Sequence, residues 1–434
     1  MSSNLTAEKN FFCIFFHDYQ CSGSCLFVPH CRAQNWVVEP KFAISENLLF
    51  EIMAKSVFSH VPVMAEEITR LLRPQDGKVF IDMTFGGGGH TRRLLDTNKS
   101  IKVIAVDRDP VAYRRAQELS AEIAIKSQRL NINQQVIPIH GKFSTVAKQI
   151  HLSGIPYASV NGVIFDLGAS SMQLDDASRG FALSSDGPLD MRMDRSSSDD
   201  ITAEDVVNNL SQESLAKVIK IYGEEKRSRK MSNAIVDART LLGRIRTTRE
   251  LAQVISSVSA PSIDALGRYA HGGTKLFQAL RIFVNNELNE LNYGLSKIRD
   301  FLVPSKIMRT ETGEDIIQEP YGIAAVLTFH SLEDRIVKKV FQSLDMDAPN
   351  FRQATQHDRI QTNSLSTIEE IKDLGSYKNW WPLLKHISRP SDTEIEANPR
   401  SRSAKLRAAL RIDGAEPIPN YGHTSDFQIR KLNA

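Results

Sequence analysis

The residues best placed to do chemistry begin with a glycine-rich segment, residues 82–90 (DMTFGGGGH). Glycines let the backbone turn tightly and approach a ligand without a side-chain clash. A dinucleotide loop expects G-x-G-x-x-G, but counting from Gly86 places Thr91 at the third glycine. A methyltransferase loop expects D-x-x-x-G-x-G after a strand, which Asp82, Gly86 and Gly88 supply. The spacing therefore favours an S-adenosylmethionine site, and a tight turn without a ligand is the alternative.

Two further carboxylates end apolar runs that read as buried strands. Asp107 ends residues 102–107 (KVIAVD), about 20 residues beyond the glycine loop, the distance at which an acid reaches ribose hydroxyls in either cofactor. Asp166 ends residues 161–166 (NGVIFD), where amino-group methyltransferases place a short polar motif that faces the methyl donor. We expect Asp166 to bind the cofactor or to accept a hydrogen bond from the target amine. An ordinary turn acid is the alternative.

The cysteine positions narrow the chemistry. All four cysteines lie near the N-terminus, at Cys13, Cys21, Cys25 and Cys31. The rest of the sequence can therefore have neither a disulfide framework nor a catalytic thiol. Among methylations of a nucleobase, attack at a pyrimidine ring carbon needs a thiol that adds to the ring, so this composition would favour methylation of an amine. The cysteine spacing matches no common zinc motif, and we predict no metal site.

Strand and helix patterns indicate the fold that positions these residues. Helical patterns alternate with four apolar runs, at residues 78–82, 102–107, 161–166 and 323–328. This alternation predicts an α/β fold with a parallel sheet covered on both faces, whose ligands lie beyond the carboxyl ends of the strands. Between residues 174 and 275 helical patterns replace the alternation, which predicts an inserted helical domain. Residues 278–295 then read as one long helix of the main domain.

The remaining segments bear on location. No stretch reaches the roughly 18 apolar residues that span a bilayer, so we predict no membrane partner. Residues 1–57 are irregular and contain several acids, whereas a mitochondrial presequence is rich in arginine and poor in acids. This leader is a weak match to a targeting segment. Residues 344–397 are polar and irregular around the apolar anchor 380–382 (WWP), and residues 413–434 form a tail.

Positive charge is concentrated in two runs. Residues 226–249 contain eight Lys or Arg and one acid, and residues 400–411 add five Lys or Arg without an acid. Basic runs are often solvated faces, but they also attract phosphates, and a dedicated small-molecule enzyme would not need the basic tail. If the substrate is a nucleic acid, both runs are candidates for contacting its phosphates, and a target base would have to be single-stranded or flipped out. The net charge of +3 settles nothing about partners.

Several motifs in order carry a specific resemblance: FGGGGH (85–90), DLGASS (166–171), RGF (179–181), DGPLDMRMD (186–194), YGEE (222–225), FQALRI (277–282), FHSLEDR (329–335) and NPRSRS (398–403). Over residues 58–412 the chain resembles the ribosomal RNA small subunit methyltransferase H family, also called the MraW family. The resemblance implies a Rossmann-like S-adenosylmethionine-dependent methyltransferase with an inserted helical domain. It also implies N4-methylation of a cytidine in small-subunit ribosomal RNA, either free or in an assembly intermediate of the small subunit.

The resemblance further implies site residues and domain limits. The glycine spacing and the family motifs together give these cofactor positions: Gly86, Gly88, Gly89, His90, Asp107, Phe143, Asp166 and Gln173. Phe143 would pack on the adenine. The methyltransferase domain would comprise residues 58–173 and 276–412, with residues 174–275 inserted as a helical substrate-recognition domain.

Catalytic roles are hypotheses based on placement at neighbouring strand ends. Methyl transfer requires the acceptor nitrogen to lie about 3 Å from the methyl group, opposite sulfur. Cytosine N4 is a poor nucleophile because its lone pair is conjugated with the ring. A hydrogen-bond acceptor improves it, and we expect Asp166 to be that acceptor or to organise the site. Ser170 or His330 would hold the base edge or take the proton after transfer.

The match is not uniform, and alternatives stay open. Residues 305–320 form a polar insertion after Pro304. Residues 170–175 and 284–291 are similar to animal mitochondrial members, which is the ground for expecting the mitochondrial matrix. Within residues 186–194, either internal ion pairs or a substrate site is consistent with the charges. The alternatives for function are an RNA assembly factor without essential catalysis, a methyltransferase acting on DNA or a small molecule, and an NAD-dependent enzyme. The oligomeric state, monomer or homodimer, is left open.

Overall fold

The computed structural model describes residues 62–97, 99–195, 200–263, 269–309, 315–342, 379–384 and 387–413. The leader with its four cysteines, and the tail beyond residue 413, lie outside the described residues, as does most of the predicted excursion at 344–397. No helix in the described ranges is both long enough and apolar enough to cross a membrane.

A mostly parallel sheet forms the centre of the fold. The strands in chain order are β1 (Val79–Asp82), β2 (Lys102–Asp107), β3 (Gln135–His140), β4 (Gly162–Asp166), β5 (Ser262–Ile263), β6 (Tyr269–Ala270), β7 (Lys306–Arg309), β8 (Asp315–Gln318), β9 (Ile323–Thr328), β10 (Trp380–Pro382) and β11 (Lys405–Arg411). The sheet order is β10-β11-β9-β4-β1-β2-β3, in which β11 runs antiparallel to both of its neighbours, β10 and β9, and the other neighbouring pairs are parallel. The predicted α/β fold and its four strands are confirmed.

Helices pack on both faces of this sheet or belong to the segment that is inserted between β4 and β9 in the chain. They are α1 (Ala65–Leu72), α2 (Gly89–Leu95), α3 (Pro110–Leu130), α4 (Val146–Leu152), α5 (Ser171–Asp175), α6 (Ala203–Asn209), α7 (Gln212–Gly223), α8 (Ser228–Leu242), α9 (Thr248–Ser256), α10 (Thr274–Asn285), α11 (Glu287–Arg299), α12 (Ser331–Phe341) and α13 (Asp392–Ala397). Successive strand residues point to opposite faces. Phe80 therefore packs into the apolar cluster under α1–α3, and Ile81 into the one under α4, α11 and α12.

Helices α6 to α10, which lie between β4 and β9 in the chain, form a separate apolar cluster. Leu215, Ile235 and Leu251 are fully buried in it, and Leu276 and Leu280 of α10 share it. The prediction of one long helix over residues 278–295 is wrong. Asn286 adopts the left-handed conformation (φ 51°), which ends α10 and starts α11 in a new direction. Helix α10 therefore contributes its apolar face to the inserted helices.

The C-terminal strands correct a second expectation. The basic run 400–411 is largely β11, which pairs with β9 in the sheet. Lys405 and Arg407 both contact Asp334, at 3.3 and 2.6 Å, and Arg411 donates to three backbone carbonyls of residues 299–302. Lys405, Arg407 and Arg411 therefore serve the fold, whereas Arg400 pairs with Asp175 and lines the cleft, so RNA contact stays a prediction for the first part of this run. The predicted polar insertion is the β7–β8 hairpin, and the tryptophans of β10 are buried as the predicted anchor.

Candidate active site

A cleft of about 980 Å³ opens at the carboxyl ends of β1, β2, β4 and β9. Parallel α/β sheets place their ligand sites at this edge. The cleft wall includes the glycine loop after β1, the acids that end β2 and β4, the start of α12, and one face of α10. It brings together the predicted residues Gly86, Gly89, His90, Asp107, Phe143, Asp166, Ser170, Gln173 and His330.

The glycine loop is held in a shape that only glycine allows. Gly88, which caps α2, has φ 79°, and a Cβ there would lie 2.6 Å from the Phe85 ring. Gly86 also has positive φ (51°), and its N–H donates to Asp107 Oδ2 at 2.7 Å. A Cβ on Gly87 would meet no atom within 4 Å. The loop backbone is therefore fixed from behind and open toward the cleft at Gly87.

The acids that end β1 and β2 have different roles. Asp82 is buried and accepts hydrogen bonds from Thr91 Oγ1 (2.8 Å) and Thr84 N (3.2 Å), so it fixes the loop from below. Asp107 lines the cleft and accepts from the N–H groups of Gly86 and Asp109. Burial raises the pKa of Asp107 to about 6. A carboxylate with this environment gains stability from further hydrogen-bond donors.

Asp166 at the tip of β4 faces the cleft beside a buried histidine. Its side chain is 28% exposed, and its Oδ2 lies 3.4 Å from His90 Nε2. Its backbone N–H donates to Thr84 Oγ1 at 2.6 Å, which ties β4 to the glycine loop. Burial lowers the pKa of His90, but Asp166 and Asp82 outweigh that effect, so the pKa is raised. His90 therefore interacts electrostatically with both Asp166 and Asp82.

Ser170 and Gln173 cap helix α5 reciprocally. Ser170 Oγ accepts from Gln173 N, and Gln173 Oε1 accepts from Ser170 N. The other end of the Gln173 amide donates to Asp109 Oδ2 at 2.8 Å, and this oxygen also accepts from Arg179 Nη1 at 2.8 Å. Arg179 Nη2 then reaches two carbonyls of the 186–194 segment. The Gln173 side chain is thus committed to protein partners at both ends.

The sequence did not reveal that Asp109 and Arg179 belong to the supporting structure of the site. Asp109 was interpretable only as the start of a helix, and Arg179 only as part of a family motif. They lie 70 positions apart in the chain and form an almost fully buried ion pair. A buried arginine requires a partner, so the RGF motif carried a signal, but nothing in the sequence identified that partner.

His330 starts helix α12 as a cap. Its Nδ1 accepts from Glu333 N at 3.3 Å, and its Nε2 lies 3.0 Å from Glu333 Oε1. Burial raises the pKa of Glu333, but His330, Arg281 and the Phe329 N–H outweigh that effect, and the pKa is lowered. The cap therefore uses Nδ1, whereas Nε2 lies close to the Glu333 carboxylate without a hydrogen bond among the described residues.

A potential metal-ligand set adjoins this cap. Single ligand atoms of Glu287, His330 and Glu333 lie within 4.8 Å of one another. Arg281 already donates to Glu287 through Nε and Nη2, both at 2.9 Å. Burial lowers the pKa of Arg281, but Glu287 and Glu333 outweigh it, and the pKa is raised. The guanidinium therefore supplies the positive charge that these carboxylates need.

Phe143, for which the family resemblance predicts an adenine contact, lines the cleft. Its ring packs edge-on against Phe165, with centroids 5.4 Å apart. Gly294 makes room for it, since a Cβ there would lie 3.0 Å from Phe143 Cβ. The loop is anchored because Ser144 donates to both carboxylate oxygens of Glu290. One wall of the cleft is therefore apolar and rigid.

The 186–194 segment contains an internal ion pair. Arg192 donates to both oxygens of Asp190, at 2.8 and 3.1 Å, and Arg195 approaches the same carboxylate. This favours the internal-network interpretation for Asp190 and Arg192. The seam between the insert and α12 is also polar, since Glu224 accepts from Arg335 Nη2 at 3.0 Å and from Ser331 Oγ.

The sheet order, the glycine loop and the acids at the ends of β1, β2 and β4 define a Rossmann-like methyltransferase fold. Comparison with known proteins specifies the class further. Residues 57–412 match the model of the MraW methylase family. The chain therefore belongs to the MraW methylase family.

Individual relatives share this region. The chain is 42% identical over 363 residues to a Bos taurus protein named 12S rRNA N(4)-cytidine methyltransferase METTL15, covering 81% of this chain and 83% of the relative. It is 39% identical over 361 residues to ribosomal RNA small subunit methyltransferase H of Methylobacterium nodulans, covering 83% and 92%. It is also 40% identical over 365 residues to a Culex quinquefasciatus protein named as receptor-type tyrosine-protein phosphatase mosPTP-1, covering 83% of this chain but only 23% of that protein.

Proposed function

We propose that this protein transfers a methyl group from S-adenosylmethionine to the N4 amine of a cytidine in small-subunit ribosomal RNA. The relatives from Bos taurus and Methylobacterium nodulans carry names for this class of reaction and substrate. The observation that carries the proposal is the partly exposed Asp166 carboxylate, which faces the same cleft as the glycine loop. It puts an acceptor for an amine beside a cofactor loop.

The residues of the cleft fit S-adenosylmethionine. Asp107, whose pKa burial raises to about 6, would accept hydrogen bonds from the ribose hydroxyls. The open backbone at Gly87 would let the methionine part approach closely, and Phe143 would contact the adenine. When bound, the cofactor supplies an electrophilic methyl group on a sulfonium.

Asp166 prepares the acceptor amine. A carboxylate that accepts a hydrogen bond from N4 withdraws the proton from the ring-conjugated amine as the nitrogen pyramidalises. The buried His90 lies beside this carboxylate, with Nε2 3.4 Å from Asp166 Oδ2, and would balance its charge when protonated. Ser170 and His330 stay predicted contributors, and both line the cleft, although each already caps a helix.

RNA contact falls to the inserted helices rather than to β11. Lys226, Arg229 and Lys230 are exposed at the turn from α7 to α8. This turn adjoins the cleft, since Glu224 bonds to the first turn of α12. Phosphate contacts there would supply affinity without sequence choice. The similarity of residues 170–175 and 284–291 to animal mitochondrial members supports the small subunit of the mitochondrial ribosome as substrate and the matrix as location.

The test is nucleoside mass spectrometry of small-subunit rRNA, purified separately from mitochondria and cytosol of cells that lack the gene. We expect N4-methylcytidine to disappear from the mitochondrial pool and to return with the wild-type gene. Asp166→Asn should restore about 10²-fold less methylation per enzyme. Asp76→Asn, which changes an exposed turn carboxylate outside the cleft, is the matched control.

Each other outcome has a definite meaning. Loss from the cytosolic pool alone would keep the chemistry and overturn the location. Unchanged N4-methylcytidine in both pools would refute the reaction. If small-subunit assembly nevertheless failed in that case, the function would be that of an assembly factor.

A further inference from the structure

Among the described residues, Arg281 has one nitrogen, Nη1, without a hydrogen-bond partner. Its Nε and Nη2 hold Glu287 in a bidentate pair, at 2.9 Å each. No hydrogen bond joins its Nη1 to any residue in the described part of the chain. This nitrogen faces the loop after β4, since a Cβ on Gly168 would lie 3.6 Å from it. Gly168 follows Asp166 by two residues, and both line the cleft with Arg281.

The ion pair fixes the direction of this free donor. A bidentate arginine–carboxylate pair constrains the guanidinium plane as well as its position. Glu287 is only 10% exposed and Arg281 19%, so the pair is mostly shielded from water. The Nη1 hydrogens are therefore held over the backbone of the loop that follows Asp166.

The charges around Arg281 select a neutral ligand. Glu287 contacts the guanidinium directly, and Glu333 is close enough to act on its charge. A phosphate brought to Nη1 would approach two carboxylates, which repel it. A neutral hydrogen-bond acceptor, such as a base edge, would not be repelled. The site is thus suited to a base rather than to the RNA backbone.

We propose that Arg281 is a specificity-determining residue that donates from Nη1 to the N3 and O2 acceptors of the target cytosine while Asp166 accepts from its N4 amine. The inference rests on the proposed function. Cytosine presents a donor beside two acceptors on this edge, which matches an acceptor beside a donor on the protein. Uracil has a proton on N3 and an acceptor at position 4, so it opposes both groups. Leaving polar groups of a binding site unpaired is what rejects such an analogue.

The test combines a changed substrate with a changed enzyme. The RNA is a small-subunit rRNA fragment assembled by ligation, carrying either cytidine or 3-deazacytidine at the position where N4-methylcytidine maps. The analogue keeps the amine and replaces N3 by C–H. For the full-length wild-type enzyme we expect kcat/KM to fall about 10- to 100-fold on the analogue, the range for a hydrogen bond to a charged group.

Arg281→Lys should be slower on normal RNA, but its ratio between the two RNAs should approach one. A purely structural role for Arg281 would slow both reactions equally and leave the wild-type ratio. Arg192→Lys is the matched control, because Arg192 forms a similar bidentate pair with Asp190 and does not line the cleft. It should retain the wild-type ratio.

The outcomes separate the two proposals. No N4-methylation of the unmodified RNA by the wild type would refute the proposed function and this inference with it. Methylation with equal ratios in wild type and Arg281→Lys, or a wild-type ratio near one, would refute the inference alone. If Arg281→Lys does not fold, Glu287→Gln takes its place, because it keeps Arg281 but weakens its orientation. A wild-type ratio in Glu287→Gln would likewise overturn the inference.

Discussion

Replacing Arg179 by Met should destabilise the protein far more than an equivalent change on its surface. Arg179 and Asp109 have side chains only 6% and 3% exposed, and their atoms meet at 2.8 Å. Removing one partner of such a pair leaves an uncompensated buried charge, which costs about 3–5 kcal/mol. The carbonyls of Arg192 and Met193 also lose a donor, at about 1 kcal/mol each. We therefore expect a total loss of about 5–7 kcal/mol.

The matched control is Arg335→Met. Arg335 pairs with Glu224 at 3.0 Å, a similar distance, but the two side chains are 55% and 41% exposed. Exposed pairs contribute about 0–1 kcal/mol because water and salt screen them. Urea unfolding of both variants, compared at constant m value, measures the difference. The burial argument fails if Arg179→Met costs no more than Arg335→Met.

A double variant tests the cause of the loss. In Asp109→Asn/Arg179→Met the buried carboxylate is gone, so part of the stability lost in Arg179→Met should return. The introduced amide has a single acceptor oxygen, so it can keep either the cap of α3 (Val111 N) or the bond from Gln173 Nε2, but not both, and the recovery should be partial. If the double variant loses the full sum of the single changes, the uncompensated charge is not what destabilises Arg179→Met.

Three further predictions concern the glycine loop and its acids. Gly88→Ala should lose about 1–2 kcal/mol or more of folding stability, because φ is 79° and the new Cβ would meet the Phe85 ring. Gly87→Ala should keep the wild-type stability but lose affinity for the cofactor. Thermal unfolding measures the first effect and calorimetric titration the second. The affinity of the wild type for the cofactor should fall as the pH drops below about 6, because Asp107 takes up a proton there. Asp107→Asn should bind the cofactor weakly, and its affinity should not change over this pH range. A wild-type affinity that does not depend on pH would contradict the role of Asp107 as the ribose acceptor. His90 has a raised pKa, so its stabilising charge is fully present below its unfolded value of 6.5 and is lost as the pH rises through the higher folded value; His90→Gln should flatten the stability profile in that window, measured by urea unfolding across pH.

The fold was predictable where local pattern decides it. Buried parallel strands read as continuous apolar runs, and β1, β2, β4 and β9 follow this rule. Strand β3 was missed because it lies at the sheet edge with Pro138 inside it. Strand β11 was missed because its basic residues alternate with buried ones and so resemble a charged tail.

The site was predictable in its backbone and less so in its side-chain partners. Strand-end acids and glycine spacing are local features, so the sequence locates Asp107 and Asp166 directly. Pairs such as Asp109 with Arg179 join distant segments. Their existence depends on tertiary packing, which no spacing rule encodes.

The cleft lies between the sheet and the inserted helices, so the rate of methyl transfer should depend on how these two parts are held together. Its glycine loop and Asp107 come from the loops after β1 and β2, whereas α10 supplies Arg281 next to the loop after β4. Asn285 at the end of α10 bonds to the 186–194 segment, which Arg179 joins to Asp109 behind the cofactor loop. A single chain of buried polar contacts thus sets the spacing between the two sides. Because methyl transfer depends on that spacing, substitutions along this chain should lower kcat even where they touch neither ligand.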